Sequence, residues 1–99
     1  MKVTPIGPKP ERIWSFLVTT FRGRILFSKF IKSLPYVEIV RSPKLLSYFR
    51  EDEFLEFTFK NILYSVEVDY LESKYYLIGP KPDGWKPETA ILMKYIEQK

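Results

Sequence analysis

Apolar and polar residues alternate through the middle of the chain, and this alternation restricts the fold more than any other feature of the sequence. It runs through residues 55–60 and again through residues 62–70. A period of two places successive side chains on opposite faces of a strand, so both segments are predicted to be β-strands. Residues 75–78, 36–40 and 45–49 are predicted to be further strands, and the short connections favour antiparallel neighbours.

The residues from 11 to 34 show helical spacing instead. Apolar side chains share one face of a helix up to Phe21 and a second face, rotated by about 120°, from Phe27 onward. One straight helix cannot bury both faces, so we predict two helices or one kinked helix, broken at Gly23 and closed by Pro35. A helix-turn-helix DNA reader also has a glycine between two helices, but such pairs are common for packing reasons alone.

The pentapeptide Ile-Gly-Pro-Lys-Pro occurs twice, at residues 6–10 and 78–82. Inside a helix or a central strand this sequence is unfavourable, because proline lacks an amide donor and restricts the residue before it. Both copies are therefore predicted to be extended spacers, each followed by a helix start at Pro10 or Pro87. A phosphate-binding loop would need more glycines, and a proline-rich ligand would need exposure to solvent.

These patterns together predict one α+β domain over residues 1–99. Its parts are an N-terminal helical segment broken at Gly23, an antiparallel sheet of three to five strands, and a C-terminal helix packed on the sheet. The last helix begins at Pro87 and carries one apolar stripe. The chain has 8 Phe, 7 Tyr and 2 Trp, which supply a core large enough to make disulfide staples unnecessary.

Composition excludes several function classes. The chain has no Cys and no His, which excludes thiol and imidazole catalysis and removes the best transition-metal ligands. We therefore expect no metal and no cofactor. One Asn, one Gln and two Met stand beside eight Pro and many charged residues, a pattern typical of thermostable proteins from hyperthermophiles. No apolar run is long enough to span a bilayer, so we expect an intracellular protein without a membrane partner.

Only one feature of the sequence indicates an enzyme. Glu72-Ser73-Lys74 has the acid-x-lysine form of metal-dependent nucleases, and Asp52, Glu67 or Asp69 would supply a second carboxylate for Mg²⁺. In such nucleases the acid and the lysine project from a strand inside a cleft. The triplet here joins two predicted strands, where the same residues are ordinary turn formers, so we expect no catalytic residue.

Charge is divided unevenly along the chain. Residues 1–50 contain ten basic and two acidic residues, a net charge of +8, whereas residues 51–99 contain six and ten, a net charge of −4. Arginines and lysines on a helical surface can neutralise phosphates. The predicted nucleic-acid-binding residues are Arg12, Arg22, Arg24, Lys29, Lys32, Arg41 and Lys44. The alternatives are a solvated helix face, or a basic half that pairs with the acidic half of the same chain or of a second copy.

Two hypotheses for function follow from these features. The leading one is a non-enzymatic accessory protein that binds nucleic-acid phosphates without sequence readout. For stacking on bases, helical spacing leaves Tyr36 and Tyr48 as candidates and assigns Phe27 and Phe30 to the core. The alternative is a protein–protein interaction module or a homodimer, joined through a strand edge or through basic and acidic surfaces, that acts on a host or virion protein.

A chain of this length without Cys or His, rich in Tyr and Lys and adapted to heat, resembles the small orphan proteins of filamentous viruses that infect hyperthermophilic crenarchaea. These are the lipothrixviruses and rudiviruses. The resemblance is one of composition along the whole chain and transfers no functional site. It implies the host cytoplasm or the virion as the location, and a double-stranded DNA genome as the nearby polyanion.

Overall fold

A computed structural model describes residues 1–8, 12–41, 53–68, 75–81 and 84–98. In this part of the chain six strands form one antiparallel sheet with the order β1-β2-β6-β5-β4-β3. The strands are β1 (Lys2–Ile6), β2 (Ser15–Thr19), β3 (Val37–Arg41), β4 (Glu53–Phe59), β5 (Ile62–Val68) and β6 (Tyr75–Pro80). Helix α1 (Arg24–Lys32) connects β2 to β3, and helix α2 (Pro87–Glu97) follows β6. Within these residues neither helix combines the length and apolar character needed to cross a bilayer.

One hydrophobic core joins the sheet to both helices. Phe57 on β4 lies opposite Tyr64 on β5, and their rings stack with centroids 5.6 Å apart. From α1, the ring of Phe27 stacks on Tyr76 of β6 at 4.2 Å. Leu92 on α2 is fully buried in the same cluster, so burial of apolar and aromatic surface is the main force that holds the helices on the sheet.

The predicted helix before Gly23 is wrong. Residues 15–19 form β2, which pairs with β1 on one side and β6 on the other, and no helix precedes α1 in the described residues. Phe16 and Val18 are buried while Ser15, Leu17 and Thr19 are half-buried, which is the period of a strand. Over so short a segment the apolar residues fit either period, and pairing with distant strands decides between them.

Gly23 also has a different role from the one predicted. It is the residue before α1, its backbone is extended at φ −69° and ψ 172°, and its carbonyl accepts the first helical hydrogen bond from the Phe27 amide at 2.8 Å. The predicted sheet of three to five strands is likewise too small, because β1 and β2 add to it. Over the described residues the fold is therefore a six-stranded antiparallel sheet with one helix between β2 and β3 and one after β6.

Other elements lie where the sequence predicts them. Residues 55–59, 62–68 and 75–78 are in strands, residues 37–40 are in β3, and a helix begins at Pro87. Phe27 and Phe30 are buried, as their helical spacing predicts. The predicted strand over residues 45–49 lies outside the described residues, as does Tyr48.

The two copies of the repeat begin at the ends of β1 and β6. These two strands flank β2 and are both antiparallel to it, so β1 and β6 run in the same direction and finish at the same end of the sheet. Gly79 and Pro80 lie inside β6, which has neighbours on both sides, contrary to the prediction of a spacer outside the sheet. Proline is tolerated because pairing with β2 ends at Ile78, while the Lys81 amide donates to the Leu63 carbonyl of β5 at 2.8 Å.

Two buried tyrosines combine ring packing with hydroxyl hydrogen bonds. The Tyr64 and Thr89 hydroxyl groups are hydrogen-bonded at 2.9 Å, which ties α2 to β5. Burial raises the pKa of Tyr64 above its ordinary value of 10.0, and the bond to Thr89 offsets part of this rise. Burial also raises the pKa of Tyr76, against the opposing effect of the nearby Arg24 charge.

Stability at alkaline pH is expected to reflect these two hydroxyl groups. Because their pKa values are raised in the folded protein, the unfolded chain loses the protons first as the pH rises through 10.0. The free energy of unfolding should therefore fall as the pH increases above that value. Denaturant titrations between about pH 8 and pH 11 should show a shallower fall for a Tyr64→Phe/Tyr76→Phe variant, and an equal fall in both proteins would contradict the assignment.

Candidate nucleic-acid interface

The segment from Arg12 to Val37 contains five basic residues and no acidic residue. It includes β2, the turn after β2, α1 and the connection to β3. An unbalanced positive segment of this kind creates a local attraction for polyanions if its charges reach solvent. The fold determines which of the five basic side chains are exposed to solvent and lie near one another.

The predicted binding residues are divided among separate parts of the structure. Arg12 lies before β2 and Arg22 lies after it, and a five-residue strand separates its ends by about 13 Å. The single basic stripe that the helical interpretation predicted is therefore not formed. Arg22 and Arg24 lie beside the start of α1, Lys29 and Lys32 lie near its end, and Lys44 falls outside the described residues. We name Arg22, Arg24, Lys29 and Lys32 the α1 basic surface.

Three members of the α1 basic surface are exposed, namely Arg22, Lys29 and Lys32. None of these three forms an ion pair within the part of the chain that the structure describes. Both lysines lie in the last turn of α1, where a positive charge also stabilises the helix dipole. The buried face of α1, which includes Phe27 and Ile31, holds the helix on the core and directs these cations outward.

Arg22 and Arg24 each lie over an aromatic ring. The guanidinium carbon of Arg22 is 4.9 Å from the Phe30 ring centroid, and that of Arg24 is 5.7 Å from the Phe54 ring centroid. Stacking on a ring restricts a guanidinium group while leaving its N–H edges able to bind a phosphate oxygen. The exposed Arg22 is therefore held in position at the protein surface.

The turn between β2 and α1 presents an exposed aromatic ring. The fractional exposure of Phe21 is 102%, although the sequence pattern assigned this residue to the apolar face of a helix. On one side the Arg22 amide donates to Oγ1 of the buried Thr20 at 3.2 Å. On the other side the hydroxyl of Tyr76 donates to the Arg22 carbonyl at 2.7 Å. The backbone beside Phe21 is thus fixed from the core while the ring itself points into solvent.

Arg41 has a partner within the chain. Its Nε lies 2.8 Å from Oε1 of Glu56, and Nζ of Lys81 lies 3.7 Å from the same oxygen. Arg41 is opposite Glu56 in the pairing of β3 with β4. The alternative prediction was that the basic half of the chain pairs with its acidic half. The ion pair between Arg41 and Glu56 is a contact of that kind.

Three further aromatic side chains are exposed within the described ranges. Trp14 and Trp85 are each about half exposed, and the Arg12 guanidinium carbon is 6.0 Å from the Trp85 ring centroid. Tyr36, predicted as a stacking candidate, is exposed, with Nζ of Lys60 at 5.2 Å from its ring centroid. Sequence spacing assigned Trp14 to the apolar face of the helix that does not form, and it made no assignment for Trp85, which lies just before α2.

The nuclease hypothesis receives no support from the described residues. The Glu72-Ser73-Lys74 triplet, Asp52 and Asp69 all fall outside them, and Glu67 is exposed on β5. In the described part of the chain no three acidic side chains lie close enough to hold a metal ion.

No protein family, curated protein or solved structure matches this chain.

Proposed function

We propose that this protein binds nucleic acid through the phosphate backbone, using the α1 basic surface, as a non-enzymatic accessory protein. The observation that carries the proposal is the acid-free segment from Arg12 to Val37, which brings Arg22, Lys29 and Lys32 to solvent without an ion-pair partner among the described residues. Phosphates are the natural counterions for such a cluster, because binding releases condensed counterions from the nucleic acid.

The geometry favours backbone contacts over base reading in a groove. Helix α1 has nine residues, and its Phe27, Phe30 and Ile31 side chains are committed to the core. The exposed side presents Lys29 and Lys32, which suit phosphates, and no Asn or Gln for bidentate contact with adenine. Contacts of this type position a protein on nucleic acid without specifying sequence.

Salt-dependent binding tests the proposal. The affinity for labelled DNA should fall steeply as salt rises, and an Arg22→Gln/Lys29→Gln/Lys32→Gln variant should bind more weakly. Three lost phosphate contacts would make the log–log salt slope on duplex DNA shallower by about 2.7. Fluorescence anisotropy at several salt concentrations measures both quantities.

A matched control separates local contacts from total charge. Lys94 lies in the last turn of α2, the position that Lys29 and Lys32 occupy in α1, and Lys94→Gln removes the same charge. Lys94→Gln should leave the affinity for DNA and the salt slope nearly unchanged. Lys29→Gln should lower the affinity and make the slope shallower. Failure of the native protein to bind at low salt, or equal slopes for the native protein and the triple variant, would refute the proposal.

A homodimer is the second candidate, and one observation favours it. Among the described strands β3 is at the edge of the sheet, and its Val40 is 57% exposed. At the opposite edge, β1 contains Pro5, which protects an edge from strand pairing. Light scattering on the samples used for binding would reveal a doubled mass that high salt does not abolish.

A further inference from the structure

A groove beside the Phe21 turn has the size and composition of a small binding site. Its volume is about 500 Å³, within the range of protein sites for small ligands. The lining residues are Met1, Lys2, Thr19, Thr20, Phe21 and Tyr75. Lys2, Thr19 and Tyr75 lie opposite one another on the adjacent strands β1, β2 and β6, so the floor of the groove is a row of paired residues on a rigid sheet.

Phe21 contributes nothing to the core that would explain its presence. Its ring is fully exposed, while the neighbouring Thr20 and Arg22 are held by hydrogen bonds, the latter to the buried Tyr76. Because the backbone of the turn is already fixed, a contact between the ring and a flat ligand has to order only the side chain, which lowers the entropic cost of binding. Tyr75 supplies a second ring to the same groove.

Two exposed cations lie beside the groove among the described residues. Lys2 lines it and is exposed, and the exposed Arg22 follows Phe21 directly in the turn. Aromatic rings combined with neighbouring cations are the arrangement by which proteins bind single-stranded nucleic acid, the rings stacking on bases and the cations contacting phosphates.

We propose that this groove binds the base of an unpaired nucleotide, with Phe21 stacking on the base and Lys2 and Arg22 contacting the flanking phosphates. The inference rests on the proposed function and adds a preference for single strands over duplex. A duplex keeps its bases stacked and paired, so only an unpaired base reaches the ring without the energy of unstacking. An apolar peptide side chain is the competing occupant, and it would give no difference between nucleic-acid strands with and without bases.

The test compares three labelled ligands: a short oligothymidylate, an abasic strand of the same length, and a duplex. Phe21→Ala should weaken binding of oligothymidylate by about tenfold, the loss expected for one stacked base, and leave the abasic strand and the duplex unchanged. Phe21→Trp should retain the affinity and show fluorescence quenching on binding oligothymidylate. Leu26→Ala is the matched control, because Leu26 is also exposed, at 58%, but does not line the groove.

The outcomes separate the two proposals. If the native protein binds oligothymidylate no better than the abasic strand, or if Phe21→Ala binds oligothymidylate as the native protein does, the groove inference is overturned. Salt-dependent binding of the abasic strand would then still support phosphate contacts by the α1 basic surface. Absence of binding to every ligand at low salt would refute both. Since Phe21 is fully exposed, unchanged thermal unfolding of Phe21→Ala should show that the variant is folded.

Discussion

Replacing Phe27 by alanine is expected to lower the free energy of unfolding by about 3–5 kcal/mol. The ring is fully buried, stacks on Tyr76 with an interplanar angle of 6°, and lies 5.9 Å from the Phe30 ring. Alanine would remove these contacts and leave a cavity between α1 and the sheet. Domains of this size are stable by only about 5–15 kcal/mol, so the loss would be a large fraction of the total.

Phe21→Ala makes the same chemical change at an exposed position and serves as the control. Since the Phe21 ring is fully exposed, its removal should change the free energy of unfolding by no more than about 0.5 kcal/mol. Guanidinium titrations followed by circular dichroism would measure both variants. Similar losses for the two phenylalanines would mean that α1 does not pack on the sheet as described.

Replacing Gly7 by alanine is expected to lower the free energy of unfolding by about 1–3 kcal/mol, the usual range for overpacking. A Cβ atom at Gly7 would overlap the carbonyl oxygen of Arg12. The obstructing atom belongs to the backbone, so relief requires the chain before β2 to move away from β1. That movement would break the 2.8 Å hydrogen bond from the Trp14 amide to the Ile6 carbonyl.

Gly23→Ala provides the comparison for this substitution. A Cβ atom at Gly23 would meet nothing within 4 Å, and the backbone there is in the extended region that any residue adopts, with φ at −69°. We expect a net change of less than about 1 kcal/mol, because alanine is a poorer N-cap residue than glycine but also reduces the conformational entropy of the unfolded chain, and the two effects oppose each other. If Gly7→Ala proved as mild as Gly23→Ala in denaturant titrations, the close approach of β1 to the chain before β2 would be disproved.

Two of the strands that the sequence predicted, β4 and β5, share a property that β2 lacks. Polar residues separate the apolar ones at every second position over residues 55–59 of β4 and 64–68 of β5, a period that favours a strand over a helix. β2 has five residues, and its apolar side chains fit a helix equally well when considered alone. Its partners decide the conformation, and the pairing of Val18 with Tyr76 joins residues that no local pattern connects. β1 was not predicted. It contains Pro5, and proline is unfavourable in a strand except at the edge of a sheet.

The candidate nucleic-acid interface could also be predicted only in part, because some of its residues are positioned by contacts between distant segments of the chain. Charge counting identified Arg22, Lys29 and Lys32, since these cations belong to one acid-free segment and an amphipathic helix directs them outward. It also grouped Arg12 with them, and this depended on the helix that the structure replaces with β2. The partner of Arg41 depends on the register of β3 with β4, and the exposure of Phe21 depends on a turn held by Tyr76 from far along the chain. The resemblance to crenarchaeal virus proteins stays a prediction.

The position of β2 between β1 and β6 has a consequence for how the chain folds during synthesis. The ribosome releases β1, β2 and α1 early, but the second neighbour of β2 is the strand Tyr75–Pro80. Until that strand has left the exit tunnel, one edge of β2 has no partner and Tyr76 is not available to fix the Phe21 turn. Contacts between distant segments slow folding, so we expect the nascent N-terminal half to remain unfolded until β6 emerges.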